Sequence, residues 1–192
     1  MAVVTKRLFT IGEYQSMGEA GILGEDDRLE LIEGEIVEMS SIGRHHAGQV
    51  AQVDEVLQRV VAGRAVLWVQ HPVDLDEYSE PQPDVTLLRA RTGHYKDRHP
   101  RSGDVLLIVE VSDTSIRYDR EVELSLYARA GIPEVWIIDL AAPEHIDLHR
   151  TPADWTYQET WRVAFGDIIE VPGLPGLPGL PGVTVEVAAL LG

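Results

Sequence analysis

The sequence of 192 residues contains no cysteine and only two lysines, Lys6 and Lys96. The lack of cysteine excludes disulfide frameworks, thiolate zinc sites, iron–sulfur clusters and cysteine nucleophiles. No stretch approaches the roughly 20 apolar residues that a membrane-spanning helix needs. The first residues also lack the apolar core of a signal peptide. We therefore predict a soluble cytoplasmic protein with no membrane segment.

Positive charge is scarce in general, because 16 Lys and Arg stand against 32 Asp and Glu, a formal net charge of -16. Such a chain has no basic stripe that could hold duplex nucleic acid by charge alone, which argues against a transcription-factor module. It does not exclude an enzyme that reaches phosphates through a metal ion. With 44% apolar residues, the length suits a single domain over residues 1–192.

The first third of the chain predicts two helices separated by a hairpin. A capping box that begins at Thr10 starts a helix over 10–20. Residues 29–39 predict two strands with a tight turn at Glu33-Gly34. Apolar residues at three- and four-residue spacing predict a long helix over 44–61.

The middle of the chain predicts the central sheet. The continuous apolar run Val105 to Val109 is typical of a strand that is covered on both faces. A strand, a helix and a second buried strand form a βαβ-like crossover, which favours an α/β fold. The strands are predicted over 65–70, 84–88, 105–109 and 135–138, with 73–75 extending the sheet, and the helix over 119–130.

The last third predicts smaller elements. Residues 146–149 and 155–161 alternate loosely, which indicates an antiparallel edge hairpin, and 183–191 close the chain. Between them, residues 171–182 carry a Gly-Leu-Pro triplet repeat. This repeat is too short for a collagen triple helix. We predict a surface loop that repeat slippage has lengthened, since loops tolerate insertion at little energetic cost.

A polar loop over 89–103 holds the main basic concentration, with several arginines, Lys96, His94 and His99. Arginine forks suit phosphates, so the loop could contact DNA. Alternatively, it is a solvated loop whose charge balances nearby acids. The sequence leaves both interpretations open.

Two carboxylates lie at the ends of predicted strands. Asp84 opens one strand after Pro83, and Glu110 follows the apolar run of the next. A buried carboxylate is costly unless it is paired, protonated or metal-bound. On neighbouring strands the two acids could share a hard cation such as Mg²⁺. The alternative is that each acid caps the end of its strand at the surface.

Four segments resemble the Uma-type family of putative restriction endonucleases, which belongs to the PD-(D/E)XK nuclease superfamily. They are Pro83-Asp84-Val85, Leu107 to Ser112, Tyr118-Asp119-Arg120 and Tyr127 to Trp136. The resemblance extends from about Ile11 to Val187. It implies a restriction-endonuclease-like mixed sheet flanked by helices, with antiparallel strands at both ends of the chain. It also implies cleavage of DNA phosphodiester bonds with Mg²⁺, or with Mn²⁺, and is compatible with a homodimer.

The resemblance also implies site residues. By that resemblance, Asp84 and Glu110 bind the metal, and the backbone carbonyl of Val111 completes its shell. His46, near the start of the first long helix, would bind the metal or the substrate, with His45 as the alternative if the register shifts by one. Glu33 matches another acid of the family.

The sequence departs from the family at its lysine. The position two residues after Glu110 is Ser112, and the position four residues before Tyr127, where the family carries lysine, is Glu123. Glu123 either adds a metal ligand or repels the phosphate. Arg120 could supply charge as an electrostatic clamp but not as a proton donor. An endonuclease, an impaired nuclease fold that binds DNA or protein, and a hydrolase of another phosphate substrate therefore all remain open.

Overall fold

The computed structural model describes residues 5–24, 27–61, 63–113, 122–171 and 183–192. Its centre is a six-stranded mixed sheet in the order β3-β4-β5-β6-β7-β8. These strands are Ala65–Val69, Val85–Arg89, Val105–Ser112, Glu134–Asp139, His145–Ala153 and Thr156–Ala164. β5 and β6 are parallel, and the other neighbouring pairs are antiparallel. The predicted α/β fold with a mixed sheet is therefore confirmed.

The remaining elements surround this sheet. The helices are α1 (Ile11–Glu19), α2 (Arg44–Val61), α3 (Leu124–Arg129) and α4 (Val187–Leu191). A hairpin of β1 (Leu29–Ile32) and β2 (Glu35–Glu38) and a pair of β9 (Ile168–Glu170) and β10 (Thr184–Glu186) form two small antiparallel sheets. They confirm the expected antiparallel strands at both ends of the chain.

Both faces of the central sheet are covered. The apolar stripe of α2 packs with α4 on one face, around a cluster that includes Val53, Leu57 and Trp136. The other face carries a second cluster, in which Ile32 of β1 and Tyr127 of α3 meet Ile108 of β5. Double coverage explains why β5 is buried along its whole length and shows no polar alternation.

The register of β4 on β5 sets the position of the site. Val85 pairs with Val109 at the end of this antiparallel ladder. Asp84, one residue earlier on its strand, therefore comes beside Glu110, one residue later on the other. The parallel pairing of Glu110 with Ile137 places β6 on the far side. The acids thus lie where β4 begins, next to the first turn of α2.

Most predicted elements are present, and a few differ in extent. β5 continues to Ser112, and residues 73–75 make only a single bridge, from Asp74 to Arg101, so the predicted extension of the sheet there was wrong. The edge hairpin is confirmed as β7 and β8. The start of the predicted helix over 119–130 and the repeat over 172–182 lie outside the described residues.

The loop over 89–103 is anchored by Tyr95, which is buried under β4 and β5. The guanidinium groups of Arg91 and Arg98 lie 5.3 and 5.5 Å from its ring centre. Arg91 also pairs with Asp97, and Arg98 with Asp104. These contacts favour the interpretation in which the basic charge of the loop is balanced by nearby acids. No helix of the described part is long and apolar enough to cross a membrane.

Candidate functional site

Asp84 is held from three directions at the start of β4. Its Oδ2 accepts the backbone N–H of Val111 at 2.9 Å and lies 2.9 Å from His46 Nε2. Its Oδ1 accepts the side-chain amide of Gln70 at 3.2 Å. The side chain is 13% exposed, so the carboxylate is fixed by the protein and still reaches the surface.

Glu110 is buried beside it, with 6% of its surface exposed. Its Oε2 accepts the backbone N–H of Asp84 at 3.2 Å, and its Oε1 accepts the hydroxyl of Tyr127 at 2.6 Å. Burial, followed by the charges of Glu110 and Glu123, raises the pKa of Tyr127 well above its usual range. The phenol therefore stays protonated near neutral pH and remains a donor to Glu110.

His46 lies in the first turn of α2, next to Asp84. The hydrogen bond to Asp84 raises the pKa of His46 above its ordinary value, with a further contribution from the Asp84 charge. Burial and the charge of Arg28 oppose this rise. Of the two histidines considered from the sequence, His46 therefore contacts a predicted site acid, while His45 is exposed.

A pocket of about 340 Å³ opens at this point. His46, Asp84, Val111 and Glu123 all contribute to its wall, and Asp113 and Arg28 join them. The buried Glu123 immediately precedes α3, so this acid does face the same pocket as Asp84. The structure thus brings four of the five predicted site residues to one pocket. The fifth, Glu110, lies directly behind Asp84.

Two other candidates are placed differently. Glu33 is exposed in the turn between β1 and β2 and pairs with Arg129, so it is not part of the pocket wall. Arg120 falls in residues 114–121, outside the described part of the chain.

Sequence reasoning missed three contributors. Tyr127 looked like part of the apolar face of a helix, although a buried phenol needs a partner for its hydroxyl, and that requirement was the available signal. Gln70 and Arg28 lie far from Asp84 along the chain, and no spacing pattern connects them to it. Only the folded sheet brings their side chains to the acids.

A separate group of ionisable side chains lies on another part of the surface. Asp74, Glu80 and His99 are the one group of three such residues in the described ranges whose possible ligand atoms all lie within 4.8 Å of one another. His99 Nδ1 is 3.4 Å from both carboxylates, and Gln15 donates to Glu80 at 2.6 Å. The hydrogen bonds to the two acids raise the pKa of His99 to about 10. No motif in the sequence predicted this cluster.

The residues at Asp84 fit a hard divalent cation by donor type. Carboxylate oxygens are the ligands that Mg²⁺ and Mn²⁺ prefer. An ionised carboxylate offers about four lone-pair positions, and the donors named above fill only part of that capacity on Asp84. The open pocket in front of Asp84 gives solvent and ligands access to it.

Comparison with known proteins places this arrangement in a family. A profile described as Uma2, putative restriction endonuclease, matches residues 11–186. The chain belongs to this family. Among solved structures, a putative nuclease belonging to DUF820 from Anabaena variabilis superposes with a TM-score of 0.67 at 14% sequence identity. The match covers 95% of this chain and 97% of the other. No curated protein matches the chain.

The Uma2 assignment agrees with the motifs that the sequence carries. At 14% identity, the structural likeness to the Anabaena protein shows a shared fold. The family description indicates a nuclease, whose substrate would be nucleic acid.

Proposed function

We propose that the chain is a metal-dependent endonuclease that cleaves DNA phosphodiester bonds. One observation carries the proposal. Asp84 and Glu110 lie side by side, each accepting a backbone N–H from the other's strand, at the edge of an open pocket. Two like charges held together in this way form a site for a cation. Membership of the Uma2 family supports the same chemistry.

In this proposal Asp84 and Glu110 hold Mg²⁺, or Mn²⁺, and the carbonyl of Val111 adds a third oxygen. When bound, such an ion polarises a phosphoryl oxygen, activates water and offsets the charge that builds up in the transition state. Tyr127 and Gln70 keep the two carboxylates in position through the hydrogen bonds described above. His46 holds Asp84 from the side of α2 and can donate to a substrate oxygen when protonated.

Glu123 supports a second candidate function. Its buried carboxylate faces the pocket in place of the family's lysine. An additional acid there either joins the metal ligands or repels the phosphate. In the second case the fold would bind DNA or protein without cleaving it.

Cleavage assays distinguish these functions. Supercoiled plasmid and a single-stranded oligonucleotide are incubated with Mg²⁺ or Mn²⁺ and with the wild type, Asp84→Asn or Asp54→Asn. Asp54 makes the matched control, because it lies on α2 outside the pocket and its carboxylate accepts from Gln58 on the same helix. We expect metal-dependent cutting that slows at least about 100-fold in Asp84→Asn, since even outer residues of metal sites contribute about 10- to 100-fold.

Other results would favour the alternatives. An inert wild type that cuts after Glu123→Lys would show an impaired nuclease centre. Binding to DNA in a gel shift without cutting by any variant would favour a binding module. If no variant cuts and calorimetry detects no Mg²⁺ or Mn²⁺ binding, the proposed metal site is wrong.

The cellular setting belongs to the same proposal. The absence of cysteine fits a reducing cytoplasm. Cutting both strands of a duplex needs two centres, which a homodimer would supply. Sedimentation of the wild type with and without duplex DNA measures that state directly.

A further inference from the structure

The pocket in front of Asp84 has an unbalanced charge. Its described wall includes one permanently charged cation, the guanidinium of Arg28. The acids of the same wall are Glu30, Glu38, Asp84, Asp113 and Glu123. A phosphate that enters this pocket meets carboxylates on several sides. These carboxylates repel a phosphate, even with a divalent ion at Asp84. A further positive charge in the wall would offset that repulsion.

Arg28 is placed to provide that charge. Its guanidinium donates to the backbone oxygen of Ser40, which belongs to the segment between β2 and α2. Within the described part of the chain it makes no ion pair. By contrast, seven arginines pair with an acid there: Arg7, Arg59, Arg91, Arg98, Arg129, Arg150 and Arg162. The remaining N–H groups of Arg28 are therefore available to a ligand in the pocket.

Arg28 also shares a pocket wall with the proposed catalytic acids. It lines the same pocket as Asp84 and Glu123. The guanidinium therefore belongs to the proposed centre. Its anchoring to Ser40 also limits the side-chain entropy that would be lost when a ligand binds.

We propose that Arg28 binds a phosphate group of the substrate inside this pocket. The inference rests on the proposed nuclease function for the identity of the substrate, a DNA strand. A planar guanidinium suits this role, because its parallel N–H groups match two oxygens of one phosphate. Arg28 would thereby add a second positive charge for the phosphate to that of an ion held at Asp84.

Fluorescence anisotropy with a labelled single-stranded oligonucleotide tests the role of the charge. Ca²⁺ replaces Mg²⁺ so that binding is measured without cutting. Arg28→Gln keeps an amide donor for Ser40 but removes the charge, whereas Arg28→Lys keeps the charge. Arg59→Ala is the control for net charge, because Arg59 is exposed on α2 and is 3.7 Å from Glu55.

We expect Arg28→Gln to weaken binding about 10-fold or more, since charge-assisted hydrogen bonds contribute about 1.5–3 kcal/mol. Arg28→Lys should retain most of the affinity, and Arg59→Ala should bind like the wild type. The slope of log affinity against log salt should fall by about 0.7 in Arg28→Gln, as for one lost contact to a single strand. A structural role alone would not change this slope.

Three results would overturn the inference. They are wild-type affinity in Arg28→Gln, equal losses in Arg28→Gln and Arg28→Lys, and no binding of the oligonucleotide by the wild type. Inorganic phosphate separates the two sources of the anion. If it raises the melting temperature of the wild type but not of Arg28→Gln, and yet the oligonucleotide binds equally to both, the site takes free phosphate and the DNA assignment is wrong.

The outcome is separable from that of the proposed function. Arg28-dependent binding by a protein that cuts nothing would leave the inference standing and reject the nuclease. If cutting depends on Asp84 but has the same rate and KM in Arg28→Gln as in the wild type, the nuclease function stands and the role of Arg28 is rejected.

Discussion

Replacing Tyr127 with phenylalanine tests how the buried acid Glu110 is tolerated. The substitution removes one oxygen from a fully buried ring and leaves the packing of α3 on β5 intact. The lost bond, 2.6 Å from hydroxyl to Glu110 Oε1, ends on the carboxylate whose charge contributes to the raised pKa of Tyr127. Such bonds contribute about 1.5–3 kcal/mol, so we expect the free energy of unfolding to fall by about 2 kcal/mol. For a chain of this size, the melting temperature should drop by about 4–8 °C.

The assay is urea and thermal unfolding in EDTA, so that no cation contributes. Tyr157→Phe is the matched control, because its hydroxyl donates at 2.9 Å to a neutral acceptor, the backbone oxygen of Ile132. It should cost about 1 kcal/mol. Equal losses in the two variants would refute the argument, since the charge on Glu110 would then add nothing. An unchanged melting temperature in Tyr127→Phe would refute it more strongly.

Three further substitutions test the fold by unfolding measurements. Gly34→Ala should cost about 2 kcal/mol, because φ is +79° there and the new Cβ would lie 2.6 Å from Leu8 Cβ. Arg150→Ala should cost about 3 kcal/mol at neutral pH, the low end for breaking a buried ion pair, because the guanidinium is 31% exposed and Glu134 keeps the Trp136 N–H. Since burial already raises the pKa of Glu134, this loss should shrink as the pH falls toward 4.5. The raised pKa of His99 adds stability that is complete below pH 6.5 and is lost as the pH rises through about 10. In His99→Asn, the free energy of unfolding should therefore decline less over that pH range.

The sequence predicted the elements well where apolar residues dominate. The run Val105 to Val109 identified β5, and the stripe of α2 identified its buried face. It placed the end of β5 too early, because Glu110 and Ser112 are polar and yet buried. Tyr127 and the N–H of Asp84 help to satisfy the oxygens of the buried Glu110, and neither contact is local in sequence.

The candidate site was predicted only in part, because several of its contacts join residues that are distant in sequence. The resemblance pointed to Asp84, Glu110, Val111, His46 and Glu123, and the fold brings them together. Neither the sequence pattern nor the family resemblance revealed the side chains that support these five residues. Arg28 immediately precedes β1 and Gln70 immediately follows β3, so their place near Asp84 depends on how the hairpin and β3 pack around β4.

The two interpretations of Asp84 and Glu110 that the sequence left open are compatible. The ladder between β4 and β5 ends at Val85 and Val109, so it does not include the N–H groups of Asp84 and Val111. The carboxylates accept these N–H groups, so each acid caps the ladder and is brought beside the other. A buried N–H without a partner costs about 1–3 kcal/mol. Asp84→Ala would therefore remove a structural cap together with the charge, whereas Asp84→Asn keeps an acceptor for Val111. Only the second variant separates the chemistry of the pocket from the stability of the sheet.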